Sequence, residues 1–178
     1  MFFNRLSRRA PGLAATTVCV LFVAVGHAQA TPDSRSPSVC TEVSRDLKAH
    51  PPATQKLEIE TRRGARRFDV EIASDDALRE LGLMCRKTMA DSHGMLFEFP
   101  QAEQQTFWMK NTYLPLDIIY IGRDGRIVSI SANAKPFDET PLPSSGPANG
   151  VLEIKGGLSA KFGIRAGDRV KHPFYSAQ

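Results

Sequence analysis

Apolar and polar residues alternate over Leu57-Glu58-Ile59-Glu60 and again over Phe68-Asp69-Val70-Glu71-Ile72. A period of two puts every second side chain on one face, so each run predicts a strand with one buried and one wet side. Arg62-Arg63-Gly64-Ala65 lies between them and makes the pair a hairpin. Ser74 offers an N-cap to a short helix that has Asp75 and Asp76 in its first turn, Leu78 and Leu81 on one face, and Gly82 as its stop. Met95-Leu96-Phe97-Glu98-Phe99 predicts a further strand, ended by Pro100. The stretch Thr106–Ile130 predicts two apolar strands about Arg123-Asp124-Gly125-Arg126, because Asp-Gly between apolar runs is a strong hairpin signal. Ala134–Asn149, with four prolines and Ser144-Ser145-Gly146, reads as a long loop. Val151–Ile154 predicts a strand, Ser159–Phe162 a helical turn stopped by Gly163, and Arg169–Lys171 a closing strand after Gly167-Asp168. The sum is about seven or eight short strands with two short helices: a mainly β fold, a small β-barrel or β-sandwich. Strands do not alternate with long helices, which argues against a doubly wound sheet.

The start of the chain follows different rules. Arg5, Arg8 and Arg9 precede the uncharged apolar run Leu13–Val25, and Ala28-Gln29-Ala30 gives a small-x-small site. That order predicts a secretory signal peptide over residues 1–30, cleaved near Ala30. The apolar run is shorter than the roughly 20 residues of a spanning helix, so a membrane anchor is the alternative only if the segment stays uncleaved. Residues 31–54, rich in Ser and Pro, read as a flexible tether with one or two helical turns within Thr41–His50. Residues 55–172 then form a single β-rich domain, followed by a tail at 173–178. The predicted location is periplasmic or secreted.

Removing the leader changes the charge. The chain has 23 basic and 19 acidic residues, and the leader takes three arginines and no acid, leaving 20 against 19. A general nucleic-acid binder needs a strong basic excess, so nucleic acid is not an expected partner. Arg62, Arg63, Arg66 and Arg67 read as a solvated hairpin tip. Two cysteines remain, Cys40 and Cys85. An oxidising compartment would pair them as a disulfide, the alternative being two unrelated thiols.

Gly82-Leu83-Met84-Cys85-Arg86, Gly94-Met95-Leu96-Phe97, Phe107-Trp108-Met109-Lys110-Asn111-Thr112, Pro115-Leu116-Asp117 and Gly167-Asp168 occur in this order. Together they resemble the domain-of-unknown-function family 192, over roughly Leu57–Val170. The resemblance implies a small, mostly β fold, often exported, with no accepted catalytic residues. Family members usually carry an aromatic residue where this chain has Cys85, and Cys40 lies outside the family region. Paired, the two cysteines would pin the tether to the domain.

Candidate chemistry centres on polar residues among apolar ones. Asp117 sits between Leu116 and Ile118, where a buried acid needs a partner, and Lys110 and Arg86 are the nearest cationic candidates by pattern. Two readings stand: a structural ion pair closing the barrel end, or a pocket mouth in which Arg86, Trp108, Lys110, Asn111 and Asp117 bind a small polar or anionic ligand or a peptide. The expected function is thus an exported, non-catalytic binding or interaction module. The alternative is an enzyme of unknown reaction that uses Lys110, Asp117 and a loop serine, Ser144 or Ser145. Copper binding by Met84, Met89, Met95 and Met109, with His93 nearby, comes third, because thioethers select Cu(I) but also fill cores. Phosphate loops, dinucleotide fingerprints and metal-hydrolase spacings do not occur, so no cofactor and no metal are expected.

Overall fold

The computed structural model describes residues 37–176. The predicted signal peptide and residues 31–36 of the tether lie outside the described residues. The elements in chain order are α1 (Pro37–Ala49), β1 (Thr54–Thr61), β2 (Gly64–Ala73), α2 (Asp76–Leu81), β3 (His93–Phe107), β4 (Leu116–Ile121), β5 (Ile127–Ala134), β6 (Leu142–Lys155), α3 (Leu158–Phe162), β7 (Arg169–Lys171) and α4 (Pro173–Ser176). The seven strands make one sheet in the order β5-β4-β6-β3-β2-β1-β7. Neighbours are antiparallel except β2 and β3, which run parallel through the α2 connection. A bridge between Arg126 and Arg169 brings the two edge strands together at one end. The sheet is therefore a curled half-barrel, mainly β as the alternation predicts.

Strand alternation sorts the apolar residues into two cores. The inner core draws on every strand, with Ile59, Val70, Leu96, Ile119, Ile127, Leu152 and Val170 among its members. The outer core lies on the central strands β3, β6 and β4 and is covered by the connections after α2 and β3. Met95, Phe97, Val151, Ile118 and Tyr120 meet Leu83 and Met109 there. β4 is buried along its whole length because both its faces are covered.

Several local expectations need correction. The N-cap of α2 is Asp75, whose carboxylate accepts the Leu78 N–H, rather than Ser74. β3 does not end at Pro100 but runs on to Phe107 through a register shift between Glu98 and Glu103. Bulges accept proline because the extra residue has no ladder bond to lose. Half of the predicted long loop, from Leu142 on, belongs to β6. That half pairs with β3 alone, while β4 begins pairing only at Gly150, so Pro143 and Pro147 sit where one strand edge is free. α1 is longer than the one or two turns expected. Its apolar stripe, Val43 and Leu47, is only half-buried, which explains the weak pattern. Within the predicted tail, Tyr175 of α4 packs against the inner core.

Candidate functional site

Val151-Leu152-Glu153-Ile154 sets one acid in an apolar strand. Glu153 stands opposite Met95 on β3 and Ile118 on β4. Leu152 and Ile154 point into the barrel, so Glu153 points outward with Val151. Its side chain is nearly lost to solvent, at 5% exposure. It lines a hollow of about 370 Å³. Leu83 and Met84, just after α2, supply one wall, and Phe97, Phe99 and Phe107 of β3 another. The three rings lock edge to face, Phe97 and Phe99 meeting Phe107 at 4.9 and 6.5 Å between centres. No described residue gives the Glu153 carboxylate a hydrogen bond or an ion pair, and burial alone pushes it up to about 8.

Trp108 and Lys110 stand at the opening. Trp108 is 49% exposed, and the Lys110 ammonium lies 5.0 Å from its ring centre. A second hollow of about 390 Å³ shares Glu80, Leu81, Met84, Trp108 and Lys110 with the first and is also lined by Asn111. Asn111 takes a left-handed backbone, φ 54°, which asparagine tolerates better than most residues. Its carbonyl accepts the Cys85 N–H at 2.9 Å, and its amide Nδ2 reaches the Met84 sulfur at 3.8 Å. The Asn111 Oδ1 is buried and has no hydrogen-bond partner among the described residues. Arg79, also in the lining, donates to the carbonyls of Ser74 and Glu98 and to the Asp76 carboxylate, and its guanidinium stands 5.3 Å from the Phe99 ring centre.

The sequence grouping of Arg86, Trp108, Lys110, Asn111 and Asp117 does not hold together. Asp117 is fully buried and shares the inward-facing register of Ile119 and Ile121. Its carboxylate accepts three backbone N–H groups, from Asn133 at 2.7 Å, Gly157 at 3.0 Å and Ser159 at 2.7 Å. Neither Lys110 nor Arg86 is its partner. One residue of strand register separates the faces, so Asp117 binds the β5 end and the β6–α3 turn inside while Trp108 and Lys110 work outside.

Arg86 serves a different acid. Its two terminal nitrogens hold Glu71 at 2.6 and 2.5 Å, and His93 Nε2 meets the same carboxylate at 2.8 Å. Burial works to raise Glu71, but the Arg86 grip and the His93 bond outweigh it and hold the carboxyl below its usual range. Arg86 and His93 line a separate hollow of about 500 Å³ with Asp69, Thr88 and Met89.

The remaining candidates are spoken for structurally. Ser144 is a buried β6 residue whose hydroxyl donates to the Gly146 carbonyl and accepts the Gln105 N–H. Ser145 gives its N–H to the Ser129 hydroxyl. A serine with Lys110 and Asp117 is therefore not assembled. Met95 and Met109 belong to the outer core, Met89 packs against it, and Met84 meets Asn111. Among the described residues no group of three His, Cys, Asp or Glu side chains could hold a metal ion. Cys40 and Cys85 form a disulfide with 5.3 Å between Cα atoms, joining α1 to the segment that walls the hollow.

Glu153 and Glu71 were not among the sequence candidates, and His93, placed with the methionines there, meets Glu71 instead. Glu153 carries the signal that drew attention to Asp117, an acid inside an apolar strand. Glu71 was lost because strict alternation assigned it to a wet face, which α2 and its following segment in fact cover.

The profile of DUF192, described as an uncharacterised group, matches residues 58–172. The chain belongs to this family. The DUF192 domain here is similar to a solved structure of a protein of unknown function from Novosphingobium aromaticivorans, at 44% identity and a TM-score of 0.67, covering 69% of this chain and 90% of that one. It is also similar to a solved Sinorhizobium meliloti protein provisionally named a transcription regulator, at 41% identity and a TM-score of 0.66, covering 67% of this chain and 94% of that one. No curated protein matches this chain. The DUF192 match contains Glu71, Arg86, Trp108, Lys110, Asp117 and Glu153, whereas Cys40 lies outside it. Gly94 of the DUF192 run Gly94-Met95-Leu96-Phe97 has a packing reason. A Cβ there would come within 2.6 Å of the Glu153 carbonyl oxygen, so glycine lets β3 close on β6 beside the acid.

Proposed function

We propose that this DUF192 domain is an exported, non-catalytic binding module whose ligand enters the hollow beneath Trp108 and Lys110. One observation carries the reading: a buried, unpartnered carboxyl faces an aromatic-walled cavity. An unpaired polar group in a protein interior is costly, and such groups are retained where something outside the fold completes them. Apolar walls with a few convergent polar groups are the usual make-up of a small-molecule site, and about 370 Å³ is within its size range.

The Sinorhizobium relative's name raises a nucleic-acid reading. The near balance of 20 basic and 19 acidic residues beyond residue 30 speaks against it, since duplex binding rests on phosphate neutralisation. Export is supported by the basic, apolar and small-residue order of the first thirty residues and by the Cys40–Cys85 disulfide. Fusing residues 1–40 to a reporter that is active only outside the cytoplasm tests that part.

Binding is tested by a fragment screen against isotopically labelled domain. Hits are expected to shift the Trp108 indole and Gly82–Met84 amide signals, and Trp108→Ala is expected to weaken their binding while the domain stays folded. A screen whose hits all map elsewhere overturns the reading.

A further inference from the structure

The two hollows next to Trp108 share an imbalance in their hydrogen-bonding groups. In each, a buried side-chain oxygen has no bonded partner among the described residues: the Glu153 carboxyl in one and Asn111 Oδ1 in the other. Neither cation of the lining is bonded to Glu153. Arg79 donates to Asp76 and two carbonyls and stands 5.3 Å over the Phe99 ring, and Lys110 sits over Trp108 at the opening, beside Glu80. An ionised Glu153 therefore lies without a bonded counter-charge in a space walled by three phenylalanine rings. A ring-walled carboxylate suits an ammonium, because the ring faces and the acid both attract positive charge.

We propose that the hollow takes an organic amine with an apolar, ring-sized body, its ammonium seated against the Glu153 carboxylate. This rests on the binding reading above and names the class of ligand. The apolar body packs against Phe97, Phe99 and Phe107, and Trp108 closes over it at the opening. An anionic ligand would set a second negative charge against the acid. A neutral one would leave the acid protonated and would gain no charge–charge attraction.

Proton linkage gives the inference a second handle. Burial holds Glu153 protonated near neutral pH, and an arriving ammonium expels that proton. Amine binding therefore tightens as the pH rises. The groups facing Glu153 are Arg79, Glu80 and Lys110 at the opening and Tyr120 on β4. Burial raises Tyr120 to about 12, so its phenol stays neutral throughout.

The test uses three probes of one shape: benzylamine, benzyl alcohol and phenylacetate. Trp108 is the sole tryptophan of the chain, so its fluorescence reports occupancy directly, and labelled-amide shifts check it. Benzylamine is expected to bind at least about tenfold tighter than the other two, and more tightly at about pH 9 than at about pH 6. Glu153→Gln, an isosteric change, is expected to abolish the preference and the pH dependence. Phenylacetate or benzyl alcohol binding as well as benzylamine overturns the ligand class and leaves the binding reading standing. Amine binding that Glu153→Gln does not weaken overturns it too. None of the three shifting any signal from the hollow overturns both. Should Glu153→Gln fold poorly, the pH series on the unmutated domain decides alone: an amine affinity flat between those pH values rejects the seat on Glu153.

Discussion

Arg86 grips Glu71 with both ends of its guanidinium, at 2.6 and 2.5 Å, and thereby fixes the segment after α2 to the face of β2. Glu71 is almost wholly buried and Arg86 about three-quarters so. Removing one partner leaves a charge stranded in a low-dielectric site, which is the expensive way to break a pair. Arg86→Ala is expected to destabilise the domain by about 2–4 kcal/mol. Arg86→Lys should recover only part of this, because an ammonium cannot make the two-ended contact. Urea unfolding of both variants checks it. A loss below about 0.5 kcal/mol in Arg86→Ala, the range of ordinary surface changes, contradicts the structural role.

Glu153 predicts a pH dependence of stability opposite in sign to that of Glu71. Its folded value is near 8, against an ordinary 4.5, so through that window the unfolded chain releases the proton while the folded chain keeps it. The folded state binds more protons, and stability falls as the pH rises, levelling off above the folded value. The full loss is on the order of 5 kcal/mol. Glu153→Gln lacks this proton. Unfolding of the two proteins at about pH 5 and about pH 8.5 should show the unmutated domain losing several kcal/mol relative to the variant. Parallel behaviour at both values would mean that the acid is not held neutral by burial.

The fold was legible where one physical rule dominated. Alternation at 57–60 and 68–72, the Asp124-Gly125 turn and Gly163 after α3 each located an element because period, turn chemistry and cap left little choice. Legibility failed where tertiary pairing overrode local punctuation. Pro143 and Pro147 spell a loop in isolation, yet β3 supplies an edge on which they cost no hydrogen bond. The site was partly legible for a related reason. Trp108, Lys110 and Asn111 do gather around one pair of hollows. Asp117 was grouped with them by closeness in sequence, but whether an acid in a strand faces the same side depends on register, which sequence spacing across a turn does not fix.

Asp117 and Lys110 can be told apart by mutation. Asp117 satisfies three backbone donors, two on Oδ1 and one on Oδ2. Asp117→Asn turns one acceptor into a donor facing a backbone N–H, and Asp117→Ala leaves all three unsatisfied. Losses of about 2–4 kcal/mol are expected for either, because each buried donor left bare costs about 1–3 kcal/mol. Lys110→Ala gives up an exposed cation–π contact and should cost no more than about 1 kcal/mol. Equal destabilisation by Asp117→Asn and Lys110→Ala would show that the two residues share one structural role after all.

The Cys40–Cys85 disulfide closes a loop of 45 residues in sequence separation. In the chain-entropy account, such a closure removes freedom from the unfolded chain equivalent to about 4 kcal/mol. The folded side of the bond points to a local effect as well. Cys85 holds a left-handed backbone, φ 62°, in the segment whose neighbours Leu83 and Met84 wall the hollow. α1 lies at the other end of the bond, with only a half-buried apolar stripe of its own. Helices of this length are marginal without tertiary support. Reduction, or Cys40→Ser, should therefore leave the β-sheet intact while α1 loses protection. Amide exchange is expected to rise first across Pro37–Ala49 and next across Gly82–Arg86, with β4 and β6 unchanged. The unfolding free energy should drop by about 2–4 kcal/mol. Uniform exchange across all strands on reduction would mean instead that the bond supports the whole domain. Unchanged exchange in α1 would mean that its packing holds it without the bond.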